Sequence, residues 1–160
     1  MEILHPGRRS TRLVGFDYST AGAYFVTIVT AQRRCCLSEV EDGAVRLLPA
    51  GALVTDCWLQ LPAHFPGLLL DLHVAMPNHL HGIVILPGGN ISLPRVVQSF
   101  KSAASRLAVL SGLCEGSLWQ RGYHDHVIRD EEELMAYRQY ILDNPRQWEL
   151  DRENPIRRIR

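Results

Sequence analysis

Two runs of β-forming residues meet across a Pro-Asn step, and this pairing constrains the fold more than any other feature of the chain. Residues 68–76 (Leu-Leu-Leu-Asp-Leu-His-Val-Ala-Met) and residues 79–86 (His-Leu-His-Gly-Ile-Val-Ile-Leu) are each long enough for a full strand, and only Pro77-Asn78 separates them. So short a connection permits antiparallel pairing alone, because a parallel pair needs a crossover of about a dozen residues or more.

The rest of the chain supplies partners for that hairpin. Residues 24–31, rich in β-branched and aromatic types, read as a further strand. Residues 35–48 read as a short hairpin around Glu41-Asp42-Gly43, since Asp-Gly favours the turn that such strands need. In residues 51–64 the apolar positions Leu53, Val54, Cys57, Trp58 and Leu61 recur with a helical period, and Pro66-Gly67 breaks the chain after them. A stronger helical pattern runs over 93–110 through Val96, Val97, Phe100, Ala103, Ala104, Leu107 and Leu110. Leu118-Trp119 and then Tyr123 to Ile128 read as another strand. Asp130 is placed to cap a last helix, with Glu131, Glu132 and Glu133 at its positive end, running to about Asn144 before Pro145. Strands joined by short turns, with helices returning the chain between them, predict an α+β fold. The expected form is a ferredoxin-like antiparallel sheet with helices packed on one face.

A chain of 160 residues, 46% of them apolar, fits one domain with a real core. The single domain is expected to carry a basic arm at 1–15 and a basic tail at 149–160. No apolar run approaches the roughly 20 residues that cross a bilayer, and the first residues lack the apolar core of a secretion signal. No membrane association and a cytoplasmic location are therefore expected. The four cysteines, Cys35, Cys36, Cys57 and Cys114, form no CxxC pair and read as reduced structural thiols. A net charge of zero argues against a generic polyanion binder. The charge is nonetheless unevenly spread: residues 1–34 and 93–129 are basic, and residues 35–72 are acidic. All basic side chains are arginine except Lys101.

The chemistry concentrates in Met76-Pro77-Asn78-His79-Leu80-His81. On a strand, residues two apart share a face, so His79 and His81 project together while Leu80 enters the opposite layer. Two imidazoles on one face suit a divalent metal with positions left open for a phosphate oxygen, or else they simply line a polar or core face. A second pattern is Tyr140 with Asn144, four apart on one helical face. Tyr140 is either a nucleophile, with Asn144 as a third metal ligand, or a packing residue on a helix that Asn144 ends.

These segments occur in a telling order: Met-Pro-Asn-His-Leu-His, then Ser99-Phe100-Lys101-Ser102, then Leu118-Trp119-Gln120-Arg121-Gly122-Tyr123-His124-Asp125-His126-Val127-Ile128-Arg129, then Tyr140-Ile141 and Asn144-Pro145. From about Tyr24 to Trp148 the chain resembles the single-tyrosine HUH transposases (IS200-like), and among them the REP-associated tyrosine transposases. The resemblance implies an enzyme that cleaves and rejoins single-stranded hairpin DNA through a 5′-phosphotyrosine on Tyr140. It implies His79, His81 and Asn144 as ligands of Mg²⁺ or Mn²⁺. Relatives often carry Gln where Asn144 stands. The implied partner is single-stranded or hairpin DNA, including repetitive extragenic palindromes, and some relatives share their tyrosine helices within a homodimer. The alternative reading is a domesticated, non-catalytic binder of single-stranded DNA hairpins. A histidine-triad hydrolase needs a third histidine at position 83, which is Ile.

Other residues keep two readings. His124 and His126 are a second pair around Asp125, either a metal or phosphate site or a polar strand edge. Lys101 is a phosphate contact or a solvated helix residue, and Arg121 and Arg129 flank the strand as candidate contacts to DNA backbone. Tyr137, one turn before Tyr140, is the rival nucleophile. Tyr123, His64 and His73 read as structural. Trp58, Trp119 and Trp148 read as packing, although tryptophan also stacks on unpaired bases. Arg8, Arg9, Arg12, Arg157, Arg158 and Arg160 at the two ends suit either a DNA backbone or solvent.

Overall fold

The computed structural model describes residues 12–150. Arg8, Arg9, Arg157, Arg158 and Arg160, and most of the two basic ends, lie outside the described residues. Within them run β1 (Gly22–Val29), a hairpin of β2 (Ser38–Glu41) and β3 (Ala44–Leu47), α1 (Pro49–Leu59) and a short α2 (Leu61–His64). The chain continues with β4 (Leu69–Met76), β5 (His79–Leu86), α3 (Leu93–Leu110), β6 (His124–Ile128) and α4 (Glu131–Gln147). Four strands form one antiparallel sheet in the order β4-β5-β1-β6, and β2 and β3 pair separately. With an α-helix between β1 and β4 and another between β5 and β6, this is the expected ferredoxin-like α+β arrangement.

β1 lies inside the sheet and is buried on both faces, which is why its sequence is apolar on both, with Thr27 the exception, rather than alternating. Tyr24, Val26 and Ile28 join Leu80, Val84 and Leu86 of β5 beneath α1 and α3, forming the larger core. Gly82 matters here. A Cβ on it would collide with the ring of Trp58, so the glycine lets the fully buried indole close against β5.

One element departs from expectation. α1 and α3 pack on one face as predicted, whereas α4 crosses the other. There Tyr137 and Ile141 bury Phe25, Ile83 and Ile128 in a second core. The opposite face of β1 and β5 is apolar enough to need its own cover, and the last helix supplies it.

Local signals elsewhere behave as their chemistry demands. Asp42 and Gly43 both adopt positive φ (51° and 73°), the turn that an Asp-Gly hairpin favours. The Asp130 carboxylate accepts from the Glu133 N–H at 2.8 Å, capping α4. The helix does not stop at Asn144, however. It passes through Pro145 to Gln147 and on into a 3₁₀ turn, Trp148–Leu150. A proline costs the helix the bond to the Ile141 carbonyl. Pro145 and the Trp148 indole are both buried there.

Candidate active site

β5 delivers the paired histidines to the α4 face. His79 lies opposite Val29 and Met76, and His81 lies opposite Thr27 and Val74. Leu80 enters the larger core, as alternation requires. The two rings meet edge to face with centroids 4.4 Å apart, and their Nε2 atoms converge to 3.0 Å. Each ring is held from behind. Nδ1 of His79 is 2.7 Å from the Asn78 carboxamide oxygen, to which it donates, and Nδ1 of His81 is 2.8 Å from the Thr27 hydroxyl. Holding the Nδ1 atoms turns both Nε2 atoms toward one point. Burial lowers the pKa of His81 well below the ordinary histidine value, and neighbouring His79 lowers it further. The ring is therefore neutral near pH 7.

α4 brings the tyrosines over this pair. The Tyr140 ring stands 5.3 Å from the His81 ring and 5.9 Å from Phe25, and it keeps partial solvent access. Tyr137 is placed differently. It is buried, stacked on Phe25 at 4.6 Å and close to His126 at 5.1 Å. Burial pushes its pKa up to about 12, with Glu133 and Tyr140 adding to the shift. Asn144 is buried one turn beyond Tyr140, and the Trp148 indole lies 6.4 Å from His79. Among the described residues, no cluster of three or more His, Cys, Asp or Glu side chains is arranged to hold a metal.

The other sequence candidates are dispersed. Lys101 sits on α3, behind the sheet from the histidines. Its ammonium donates to the carbonyls of Gln120 and Gly122 at 2.8 and 2.7 Å. Partial burial lowers its pKa. Its observed work is to tie down the loop before β6. Arg121 in that loop and Arg129 after β6 are exposed. His126 projects to the α4 face and lies 3.4 Å from both Glu133 carboxylate oxygens. Asp125 points the other way. It is buried near Arg12, whose Nε is 4.0 Å distant and whose guanidinium covers the Tyr123 ring at 4.7 Å. Asp125 and its flanking histidines therefore do not form one cluster.

Sequence reasoning missed three residues at this site. Thr27 gave no signal, being one β-branched residue in an apolar strand. Asn78 lay within the informative motif but read only as a turn former. Arg138 clamps Asp71 with two hydrogen bonds, of 3.0 and 2.6 Å, and so ties α4 to β4 just before Tyr140. Asp71 occupies an irregularity in β4, between Leu70 and His73, which no pattern announces.

No family model matches the chain. It is 32% identical over 165 residues to an uncharacterized protein of Haemophilus influenzae, covering 90% of this chain and 91% of that protein. A second protein of that organism, named "Putative REP-associated tyrosine transposase", is 24% identical over 144 residues, covering 81% of this chain and 73% of the relative. Among solved structures, that of a REP-associated tyrosine transposase bound to a REP hairpin superposes with a TM-score of 0.65 at 18% identity. The match covers 88% of this chain and 74% of that one. The molecule thus shares its fold with that transposase structure. In sequence the chain is similar to a protein named as a REP-associated tyrosine transposase, and in fold to a solved one.

Proposed function

We propose that this protein is a metal-dependent transposase or endonuclease that cleaves and rejoins single-stranded hairpin DNA through a 5′-phosphotyrosine on Tyr140. One observation carries the reading: two Nδ1-anchored imidazoles converge their Nε2 atoms to 3.0 Å beside the ring of a partly exposed helical tyrosine. Adjacent ligands of an octahedral ion, with bonds of about 2.1 Å, lie about 3.0 Å apart. The 3.0 Å separation of the two Nε2 atoms is therefore compatible with both binding one divalent cation. His79 and His81 would hold it, with the Asn144 carboxamide as third donor, and imidazole with amide favours Mn²⁺ over Mg²⁺. When bound, the ion polarises a phosphoryl oxygen and orients the phosphate.

The chain's own groups do the rest. Tyr140 Oη attacks the phosphorus as its hydroxyl proton leaves. A P–O bond to tyrosine forms, the bond to the 3′ oxygen breaks, and that oxygen takes up a proton to become a 3′-hydroxyl. The phosphoester is conserved in the tyrosyl link, so attack by a 3′-hydroxyl reverses the step without ATP. The substrate class is supported by the resemblance to REP-associated tyrosine transposases and by the REP hairpin bound to the structural relative. Exposed Arg121 and Arg129 are suited to DNA backbone contacts, and His126 stands at the rim of the same face. A cytoplasmic site of action suits this substrate.

A denaturing gel tests the reading. Wild type and Tyr140→Phe are incubated with Mn²⁺ and labelled single-stranded hairpins from the gene's own flanks. A protein-linked adduct with wild type alone is the expected result. Hairpin binding by both proteins, without an adduct from either, would instead identify a non-catalytic binder. His81→Ala is expected to lose Mn²⁺ affinity and cleavage together.

A further inference from the structure

The second imidazole pair has no role in the reaction as described, and its two members differ. His126 lies under α4, engaged by Glu133 and Tyr137. His124 stands directly opposite Thr27, whose other neighbour across the sheet is His81. The three residues therefore form one row on the site face, in the order His81, Thr27, His124. Two interstrand steps set the outer Cα atoms roughly 10 Å apart.

The path of α4 leaves this corner open. The helix begins over β6, where the Glu133 carboxylate meets His126 and accepts from the Arg129 N–H at 2.8 Å. It crosses β1 at Phe25 and reaches His81 with Tyr140, then His79 with Trp148. His124 lies on the sheet beside that diagonal, half-buried. Among the described residues its ring makes no hydrogen bond, ion pair or ring contact. The backbone leading into it is fixed, because Lys101 holds the carbonyls of Gln120 and Gly122. Exposed Arg121 sits in the same held loop.

We infer that His124 is a substrate-contacting residue of the cleavage site, its imidazole donating a hydrogen bond to a backbone phosphate next to the one that Tyr140 attacks. The inference rests on the proposed tyrosine-transfer reaction and extends it. A single strand whose scissile phosphate lies at His79, His81 and Tyr140 continues across Thr27 toward β6, where His124 meets it. The contact holds the strand in line for attack, and a neutral imidazole N–H is sufficient for it. His126 cannot serve in the same way, since Glu133 and Tyr137 already occupy its surroundings.

Two measurements decide the point. In single-turnover adduct formation with Mn²⁺, His124→Ala should be slower by about ten- to a hundredfold, the range for losing one hydrogen bond to a charged group. Hairpin affinity should change little, and His124→Gln, which keeps an N–H donor, should recover part of the rate. In parallel, the ring resonances of His124 in wild-type protein are followed by NMR during titration with a short single-stranded oligonucleotide. They should shift, and shift less with an oligonucleotide whose neighbouring phosphate is replaced by a neutral methylphosphonate. A His124→Ala variant with the wild-type rate, or ring resonances that ignore the strand, would overturn the inference while leaving tyrosine transfer intact. A wild type that forms no adduct would instead remove the transfer reading, and the ring resonances would then decide the phosphate contact by themselves.

Discussion

His79 and His81 depend on two side chains that hold their rings from behind. Thr27 and Asn78 fix which nitrogen each ring presents, and such partners commonly alter metal affinity about ten- to a hundredfold. Thr27→Val keeps the shape of the residue and removes the hydroxyl. It is expected to weaken Mn²⁺ binding by about that factor in calorimetric titration while leaving the fold unchanged. Unaltered affinity would deny Thr27 an orienting role. The Asp71–Arg138 pair makes a different prediction. The guanidinium holds the Asp71 carboxyl below its ordinary pKa of 3.8. A depressed acid stabilises the fold above its unfolded pKa and loses that contribution as pH falls through the folded value. Wild type should therefore melt above Asp71→Asn at neutral pH, with the gap closing as pH drops below 3.8.

At the scale of elements, the site is a crossing of β5 by α4, and each is fixed by its own core. β5 is seated by Gly82 against Trp58. Gly82→Ala is expected to destabilise the protein by about 1–3 kcal/mol through overpacking, read by chemical denaturation. Stability equal to wild type would mean that the indole repacks freely. α4 is held at both edges of the sheet, by Glu133 to β6 and by Arg138 to β4, with Tyr137 on Phe25 between them. That arrangement explains why two tyrosines one turn apart have different fates. Tyr137 meets the apolar middle of the sheet, and Tyr140 meets the histidines. The hairpin of β2 and β3 leans on the same helix, since a Cβ on Gly43 would lie 2.8 Å from Cγ of Arg146.

At the scale of the molecule, the histidines and the tyrosine come from one chain, with two separate cores beneath and above the sheet. The paired imidazoles stand on a sheet that two apolar cores hold together. Chelation should therefore stop adduct formation yet leave a cooperative melt, and a melt abolished by chelator would make the metal structural. If cleavage takes place within one chain, mixing inactive Tyr140→Phe with inactive His81→Ala yields no adduct. Recovery of activity in the mixture would show that copies exchange their tyrosine helices in a homodimer.

Much of this was legible along the chain. A two-residue turn dictated the β4–β5 hairpin, strand alternation put His79 and His81 on one face, and helical spacing put Tyr140 with Asn144. Asp-Gly and Asp130 set a turn and a cap. These follow from interactions spanning a few residues, where backbone geometry alone decides the outcome. Periodicity tells which residues share a face of their own element, but not which element covers that face. The seating of α4 on the far side of the sheet, the choice of Tyr140 over Tyr137 beside His81, and the employment of Lys101 by backbone carbonyls were therefore decided by packing. So was the pairing of Arg138 with Asp71, partners 67 residues apart that no local pattern joins.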